Sequence, residues 1–442
     1  MKTYRFIWLL LLIVGFTACK PELDSFEPTA GNADFSKYVA LGNSLTSGYR
    51  DGDLIKSAQE VSYPNIIAGQ LKLVGGGEFT QPLMYDDLGF GNKLVLNLNP
   101  AKDCMGQLIT GAPPSLGPAL YKLINPAATP DPNNFRRMEE LYNSSNLGIP
   151  GAKSFHLIFP GYGLLNPYFT RFSKDPERMS VLQQAMTLEP TFFTLWIGNN
   201  DILSYGLTGA EADSLTSPEL FYYAYSTILD AMTSGGAKGA VATIPDITGV
   251  AFFNTIPFNG LVLTDQAQVA GLNAGYSQLG ITFSLGQNPF IVYDPAAPGG
   301  LRQIKSNEKI LLSTPQDSLK CAGWGSLKPI LPQYFLSEDE IAEIKAATVA
   351  YNGIITNLAN QKGLALVDAE EIFHALSSGL VYEGVKYGLG YITGGFNSLD
   401  GLHLTPRGNA IVANYFIEAI NSRYESNIPK VNVNDYPGLQ FP

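Results

Sequence analysis

Three residues of this chain have the types and the order of a site for nucleophilic acyl chemistry. Ser44 lies in a Gly-Asn-Ser-Leu turn that directly follows an apolar run, and His403 lies three residues after Asp400. A serine hydroxyl needs a base before it can attack, and a carboxylate at the imidazole Nδ1 fixes the tautomer of that base. The spacing therefore predicts Ser44 as nucleophile, His403 as base and Asp400 as its partner.

The chain contains three histidines, and the other two are weaker candidates for the base. His374 belongs to an amphipathic pattern, which favours a packed or surface side chain. His156 follows Gly151 among apolar residues, where it either borders the site or packs in the core. An Asp-x-x-His sequence alone is a weak signal, because the aspartate could cap a turn and the histidine could pack under the last helix.

Acyl transfer also requires hydrogen-bond donors where the oxyanion develops. Asn200 offers a side-chain amide shortly after a strand, and Gly151 offers a backbone N–H with no side chain to obstruct a substrate. The N–H of Ser44 is the third candidate. The alternative is that Gly151 serves only a turn and that Asn200 only begins a helix.

Near-continuous apolar runs predict four strands, and helical patterns alternate with them. The predicted strands are residues 38–41, 191–197, 239–244 and 364–367. The predicted helices are residues 62–73, 180–187, 217–232, 337–361 and 405–423. This alternation favours a parallel sheet covered on both faces, with Ser44 and Asn200 at the carboxyl edge of its strands.

Two long stretches without a clear period are predicted to be insertions that pack over the domain. The first runs from about residue 75 to residue 142, and the second runs from about residue 248 to residue 335. Local strands are expected within them at residues 94–98, 290–293 and 309–312. We therefore predict one domain over residues 35–426 that carries both insertions, followed by a C-terminal tail at residues 427–442.

Four separated segments, taken in order, resemble the conserved blocks of the SGNH hydrolases, also called the GDSL esterase/lipase family. The first block is the Gly-Asn-Ser-Leu turn of Ser44, and the second contributes Gly151. The third is the Gly-Asn-Asn-Asp sequence around Asn200, and the last is the Asp-x-x-His of Asp400 and His403. Each block alone is a weak match, and four in the family's order are specific together.

The resemblance implies a three-layer α/β/α sandwich with a parallel, flavodoxin-like sheet of about five strands. It also implies ester hydrolysis by Ser44, His403 and Asp400, without a cofactor or a metal. The implied oxyanion donors are the N–H groups of Ser44 and Gly151 and the side chain of Asn200.

Two positions near Ser44 separate the chain from related patterns. Asn43 stands where the family usually has aspartate, at a position that supports the turn. Thr46 breaks the Gly-x-Ser-x-Gly elbow of ordinary α/β hydrolases, which argues against that fold.

The N-terminal residues have the composition of a bacterial export signal. Lys2 and Arg5 precede an apolar segment at residues 6–16 that is too short to span a bilayer. Small residues before Cys19 resemble a lipobox, which predicts a signal peptide at residues 1–18, a lipid on Cys19 and a tether at residues 19–34. The alternative is a secretory signal with an incidental cysteine. We expect a membrane-anchored lipoprotein of the cell envelope, at the outer membrane, with its periplasmic or surface side left open.

Composition restricts the partners of the chain. Its 442 residues are 45% hydrophobic and 15% charged, as expected for a folded protein with a large core. The net charge is −11. The sequence has no run of Lys or Arg, so nucleic acid is not an expected partner. Cys104 and Cys321 either form a disulfide or remain separate thiols. The scattered histidines predict no metal site.

Two other functions stay open beside ester hydrolysis. One is a non-catalytic envelope lipoprotein that binds a glycan or a lipid, and the other is an O-acyltransferase that uses the same residues. The expected substrate is an ester, and the sequence does not distinguish an acetylated glycan from a lipid or a small ester.

Overall fold

The computed structural model describes residues 27–100, 102–109 and 115–439. The predicted signal peptide, Cys19 and the first part of the tether lie outside the described residues, as do residues 440–442 of the predicted tail.

Five parallel strands form the central sheet of the described chain. They are β1 (Tyr38–Gly42), β2 (Asn146–Gly148), β3 (Phe192–Trp196), β4 (Lys238–Ala242) and β5 (Ala365–Val367). Their order across the sheet is β5-β4-β3-β1-β2, with parallel pairing at every step. This is the flavodoxin-like order, and it confirms the predicted fold class. Every residue of β1 and β3 is buried, as expected for a sheet covered on both faces.

Helices cover the sheet in two layers. Tyr63–Leu71 packs against Pro406–Tyr424, which also contacts β4 and β5. In the other layer Pro218–Thr233 packs between Val181–Met186 and Glu338–Lys362. The three layers share one hydrophobic core.

The predicted helices of these layers are confirmed to within a few residues, because their sequences carry strong start signals. Ser337 begins the longest helix with a capping box, in which its Oγ accepts from the Glu340 N–H at 3.3 Å. The Glu340 carboxylate in turn accepts from the Ser337 N–H at 2.7 Å. Thr405 caps the last helix, and the sequence predicts that this helix begins at the same residue.

Other elements escaped prediction or were predicted only in part. The remaining α-helices among the described residues are Ser44–Ser47, Lys56–Gln59, Tyr121–Ile124, Pro167–Thr170, Asn199–Gly206, Ala251–Asn254, Gln266–Tyr276, Gln316–Cys321 and Ala369–Ser378. Antiparallel pairs join Leu94–Asn99 to Ser115–Leu120, Leu261–Leu263 to Gly286–Asn288, Ile291–Tyr293 to Leu301–Gln303, Lys309–Ile310 to Phe335–Leu336, and Leu380–Tyr382 to Val385–Tyr387. The three local strands expected within the insertions are thus present.

A disulfide between Cys104 and Cys321 joins the first insertion to the second. It decides between the two alternatives that the sequence left open. The second insertion also has small cores of its own, one of which packs Val269 and Leu272 of a helix against Ile291 of a hairpin.

The described ends of the chain pack on the domain. The Asn32 N–H donates to the Tyr424 carbonyl at 2.7 Å, and the Asn427 N–H donates to the Thr29 carbonyl at 2.9 Å. Val433 of the predicted tail is fully buried. Residues 27–34 of the predicted tether and residues 427–439 of the predicted tail therefore belong to the packed domain. None of the described helices combines the length and the apolar character that a bilayer crossing requires.

Candidate active site

The register of the sheet brings three of the predicted site residues to one edge. Gly42, the last residue of β1, pairs with Gly148 on β2 and with Trp196 on β3. Ser44 follows two residues after this row of strand ends, and Gly151 and Asn200 follow within four residues of their own strands. Because the strands are parallel, all three lie at the carboxyl edge of the sheet.

Ser44 is the first residue of a short helix, Ser44–Ser47, and is 8% exposed. Asn43 caps this helix, with its Oδ1 accepting from the Leu45 N–H at 3.0 Å. The turn is tight: a Cβ on Gly42 would lie 2.0 Å from the Thr46 Oγ1. Only glycine therefore fits before the turn that carries Ser44.

Side chains connect the three strand ends. Asn43 Nδ2 donates to Asn199 Oδ1 at 3.0 Å, which joins the turn after β1 to the turn after β3. Asn200 Nδ2 donates to the Ala152 carbonyl at 2.9 Å, which joins the turn after β3 to the loop after β2. These bonds hold the predicted oxyanion donors next to the Ser44 turn.

Each of the three predicted donors has an N–H without an acceptor among the described residues. Ser44 is the first residue of its helix, so its N–H has no intrahelical acceptor. Gly151 has a φ of +79°, and a Cβ there would meet nothing within 4 Å, so the space beside it is open. Asn200 is 7% exposed, and its amide keeps a second hydrogen after the bond to Ala152. Each of these groups can therefore donate a hydrogen bond to a further acceptor.

His403 and Asp400 form a hydrogen-bonded pair, with 2.9 Å between Nδ1 and Oδ2. The other carboxylate oxygen, Oδ1, accepts from the N–H groups of Leu402 and His403, each at 2.9 Å. Burial opposes ionisation of Asp400, but the charge of His403 and these hydrogen bonds outweigh it and hold the pKa of the carboxyl well below its usual value. Because Nδ1 is engaged with Asp400, Nε2 is the ring nitrogen left to exchange a proton.

Residues 48–53, here called the bridging segment, connect the Ser44 turn to the Asp400 loop. The Tyr49 N–H donates to the Ser44 carbonyl at 3.0 Å, and the Tyr49 ring lies 4.6 Å from the His403 ring between centroids. The Gly52 N–H donates to Asp400 Oδ2 at 3.1 Å. The segment thus places His403 and Asp400 beside the Ser44 turn.

Asp51 strengthens this connection and was missed by sequence reasoning. Its Oδ1 accepts from the Leu399 N–H at 3.0 Å, and its own N–H donates to Ser398 Oγ at 3.1 Å. Burial raises the pKa of Asp51, although Arg50 opposes this shift. No spacing in the sequence connects Asp51 with residues near position 399, since the partners are far apart along the chain.

Asp201 was recognised only as part of a motif, and it holds the loop of Gly151. Its two carboxylate oxygens accept from the Oγ and the N–H of Ser154, at 2.7 and 2.8 Å. Asp201 is fully buried, and this burial raises its pKa. The carboxylate therefore fixes the loop after β2 against the helix that begins with Asn199.

The other two histidines occupy different surroundings. His156 accepts from the Lys153 N–H at 3.1 Å through Nδ1 and stacks on Tyr162, with ring centroids 4.5 Å apart. Burial and the Lys153 charge lower the pKa of His156 to about 4, which keeps it neutral at pH 7. His374 is exposed on the helix Ala369–Ser378. Neither is held beside the Ser44 turn as His403 is.

Within the described ranges, no three His, Cys, Asp or Glu side chains are grouped so that they could ligate a metal ion.

No protein-family model matches the chain, and no curated protein matches it either. The solved structures that it matches include those of lipases and esterases. A lipase/acylhydrolase from Enterococcus faecalis is 11% identical, over 89% of this chain and 98% of that one, with a TM-score of 0.34. An extracellular lipase from Streptomyces rimosus is 13% identical, over 87% and 98%, with a TM-score of 0.34. An acetyl xylan esterase is 15% identical, over 62% and 78%, with a TM-score of 0.27. Because all three TM-scores lie below 0.5, we draw no functional conclusion from these matches.

Proposed function

We propose that the protein is a serine ester hydrolase of the SGNH type. The observation that carries this proposal is the His403–Asp400 pair, bonded at 2.9 Å and held beside the Ser44 turn by the bridging segment. The other three sequence blocks that resemble the SGNH family, around Ser44, Gly151 and Asn200, also support it.

In the proposed reaction, His403 Nε2 takes the proton of the Ser44 hydroxyl while the serine oxygen bonds to the ester carbonyl carbon. Asp400 stabilises the imidazolium that forms. The carbonyl oxygen becomes an anion and accepts hydrogen bonds from the N–H groups of Ser44 and Gly151 and from the Asn200 amide. Such donors typically contribute about 3–4 kcal/mol each to the transition state.

The ester bond then breaks, and His403 returns its proton to the departing alcohol. This leaves Ser44 acylated. Water enters, gives a proton to Nε2 and attacks the acyl carbon, and Ser44 leaves with that proton as the free acid is released. Every proton moves through His403, so the cycle needs no cofactor.

The proposal is tested with a short p-nitrophenyl ester and three forms of the protein. We expect the parent to release nitrophenol, Ser44→Ala to lose this activity, and Ser57→Ala, on a neighbouring short helix, to keep it. If Ser44→Ala turns over as fast as the parent, the assignment of the nucleophile is wrong. Product analysis with an added acceptor alcohol separates hydrolysis from acyl transfer, since only transfer yields a new ester.

The N-terminal anchor belongs to the same proposal. Cys19 would carry the lipid and hold the domain at an envelope membrane, where the ester substrate would be met. Labelling of cells with an alkyne fatty acid should mark the parent and not Cys19→Ala. A label that persists in Cys19→Ala would contradict the lipobox assignment.

A further inference from the structure

A cavity of about 1400 Å³ opens between the two insertions. The first insertion contributes Leu94 and Pro118 to its lining, and the second contributes most of the other residues. Ligand sites typically measure about 300–1,000 Å³, so the space is sufficient for a ligand. Cys321 lines the cavity, and its disulfide with Cys104 joins the two insertions around it. The walls of the cavity are therefore connected covalently.

Most of the side chains that line this cavity are apolar. Leu263, Phe290 and Leu399 are buried members of the lining. Partly buried members are Phe252, Ile256, Leu261, Leu312 and Leu319. Contiguous apolar surface of this kind binds an aliphatic chain, because the chain and the wall are then both removed from water.

The polar side chains inside the cavity already have partners. Thr255 and Ser326 each donate their hydroxyl to a backbone carbonyl, at 2.7 and 3.2 Å. Asp400 accepts hydrogen bonds from His403 and from its own loop. A sugar needs partners for its many hydroxyls, and a hydrocarbon chain needs none. The interior therefore suits a hydrocarbon better than a sugar.

The charges that line the cavity favour an anion at its opening. Lys320 and Lys328 belong to the lining and are exposed, which places them where the cavity meets solvent. Neither forms an ion pair with a carboxylate of the described residues. Asp400 is the one acidic residue among the described residues of the lining, and His403 is already its partner. Two lysines without carboxylate partners attract an anion, even in a chain with a net charge of −11.

Apolar side chains of the lining are exposed in the same region. Leu327 precedes Lys328 and is 76% exposed, and Val262 is 57% exposed. Both are covered if an aliphatic chain enters past them. The opening thus combines apolar surface with positive charge, which is the complement of an amphiphile with an anionic head.

We propose that this cavity binds a single-chain aliphatic carboxylate, with the chain among the apolar side chains and the carboxylate at Lys320 and Lys328. The site is separate from the proposed ester site, because neither Ser44 nor His403 is among the described residues that line the cavity. The inference therefore does not depend on ester hydrolysis.

Calorimetric titration of the parent with hexanoate and with decanoate measures the contribution of the chain. Full burial of one methylene corresponds to about a fourfold gain in affinity, and burial on one side to about twofold. The four additional methylenes of decanoate should therefore lower Kd by about 16-fold. Equal Kd values for the two acids, or no binding of decanoate, overturn the proposal.

Decanol has the same chain length without the charge, so it isolates the role of the lysines. An exposed ion pair gives roughly a threefold to fivefold gain, so the parent should bind decanoate about tenfold tighter than decanol. In Lys320→Ala/Lys328→Ala this preference should disappear, while decanol still binds. Lys386→Ala removes an exposed lysine that does not line the cavity, and it should behave as the parent. A preference that survives in the double variant overturns the assignment of the head group.

Photo-crosslinking locates the chain. A decanoic acid with a terminal diazirine should attach to the cavity lining, at residues 252–263 or 312–328, and free decanoate should displace it. The same label is expected in Ser44→Ala, which separates this site from the proposed ester site. Adducts confined to the Ser44 turn overturn the proposal. Displacement of the label by an acetylated xylo-oligosaccharide and not by decanoate would assign the cavity to a glycan and also overturn it.

Discussion

The side chains of Asn43 and Asn199 show how a departure from a family pattern is accommodated. Asn43 accepts a hydrogen bond from its own helix and donates another to Asn199. An aspartate at this position has no hydrogen to donate when ionised. The amide therefore serves both as the cap of the Ser44 helix and as the connection to the turn after β3.

At the same scale, Asn200 should contribute to catalysis through its unused amide hydrogen. We expect Asn200→Ala to lower kcat by about 10²–10³-fold with little change in KM, because the donor acts on charge that develops in the transition state. Steady-state kinetics on a short ester measure both constants. An unchanged kcat, or a loss confined to KM, would contradict the assignment of Asn200 to the oxyanion site.

The residues of the site were predictable where the signal is local. The Asp-x-x-His spacing places Asp400 and His403 within one turn, and their bond at 2.9 Å agrees with that expectation. The catalytic roles themselves stay a prediction until they are tested. Asp51 could not be predicted, because its partners Ser398 and Leu399 meet it only through the fold.

At the scale of elements, long helices with clear caps were predictable and short elements were not. β2 has only three residues and one aliphatic side chain, Leu147, so no apolar run marks it. The helix Gln266–Tyr276 contains Gly271 and Gly275, which weaken a helical pattern. Its buried residues face a small core within the insertion, which the sequence does not reveal.

The loop after β2 should make stability depend on pH through His156. Its pKa of about 4 in the folded protein lies below the ordinary value of 6.5. Between these values the unfolded chain binds a proton that the folded protein does not, so stability falls as the pH decreases through this window. We expect a loss of about 1–2 kcal/mol after allowance for partial solvent screening.

Urea unfolding of the parent and of His156→Gln, from neutral pH down to about 4, measures this contribution. The variant cannot titrate at this position, so its stability should decline less than that of the parent. Equal declines in the two proteins would show that His156 is not the group responsible. His374→Gln, at an exposed position, is the matched control.

At the scale of the molecule, the alternation of apolar runs and helices predicts the layered α/β architecture, and the sheet order confirms it. How the two insertions associate could not be predicted, because that depends on contacts between distant loops. The disulfide of Cys104 with Cys321 closes a loop of 217 residues and is the covalent part of this association.

Removal of the disulfide should destabilise the whole domain. For the double variant Cys104→Ser/Cys321→Ser we expect the free energy of unfolding to decrease by about 2–4 kcal/mol, since the cross-link restricts the unfolded chain over a long loop. Denaturant unfolding of the oxidised parent and the variant gives the difference. A variant as stable as the oxidised parent would contradict the expected contribution.

The central claim is that Ser44 is a nucleophile activated by His403, and reaction with a fluorophosphonate probe tests it most directly. Peptide mapping by mass spectrometry should locate the adduct at Ser44 in the parent and in His374→Ala. The adduct should be absent from Ser44→Ala and strongly reduced in His403→Ala. An adduct at another serine, an unlabelled parent, or full labelling of His403→Ala would contradict the account.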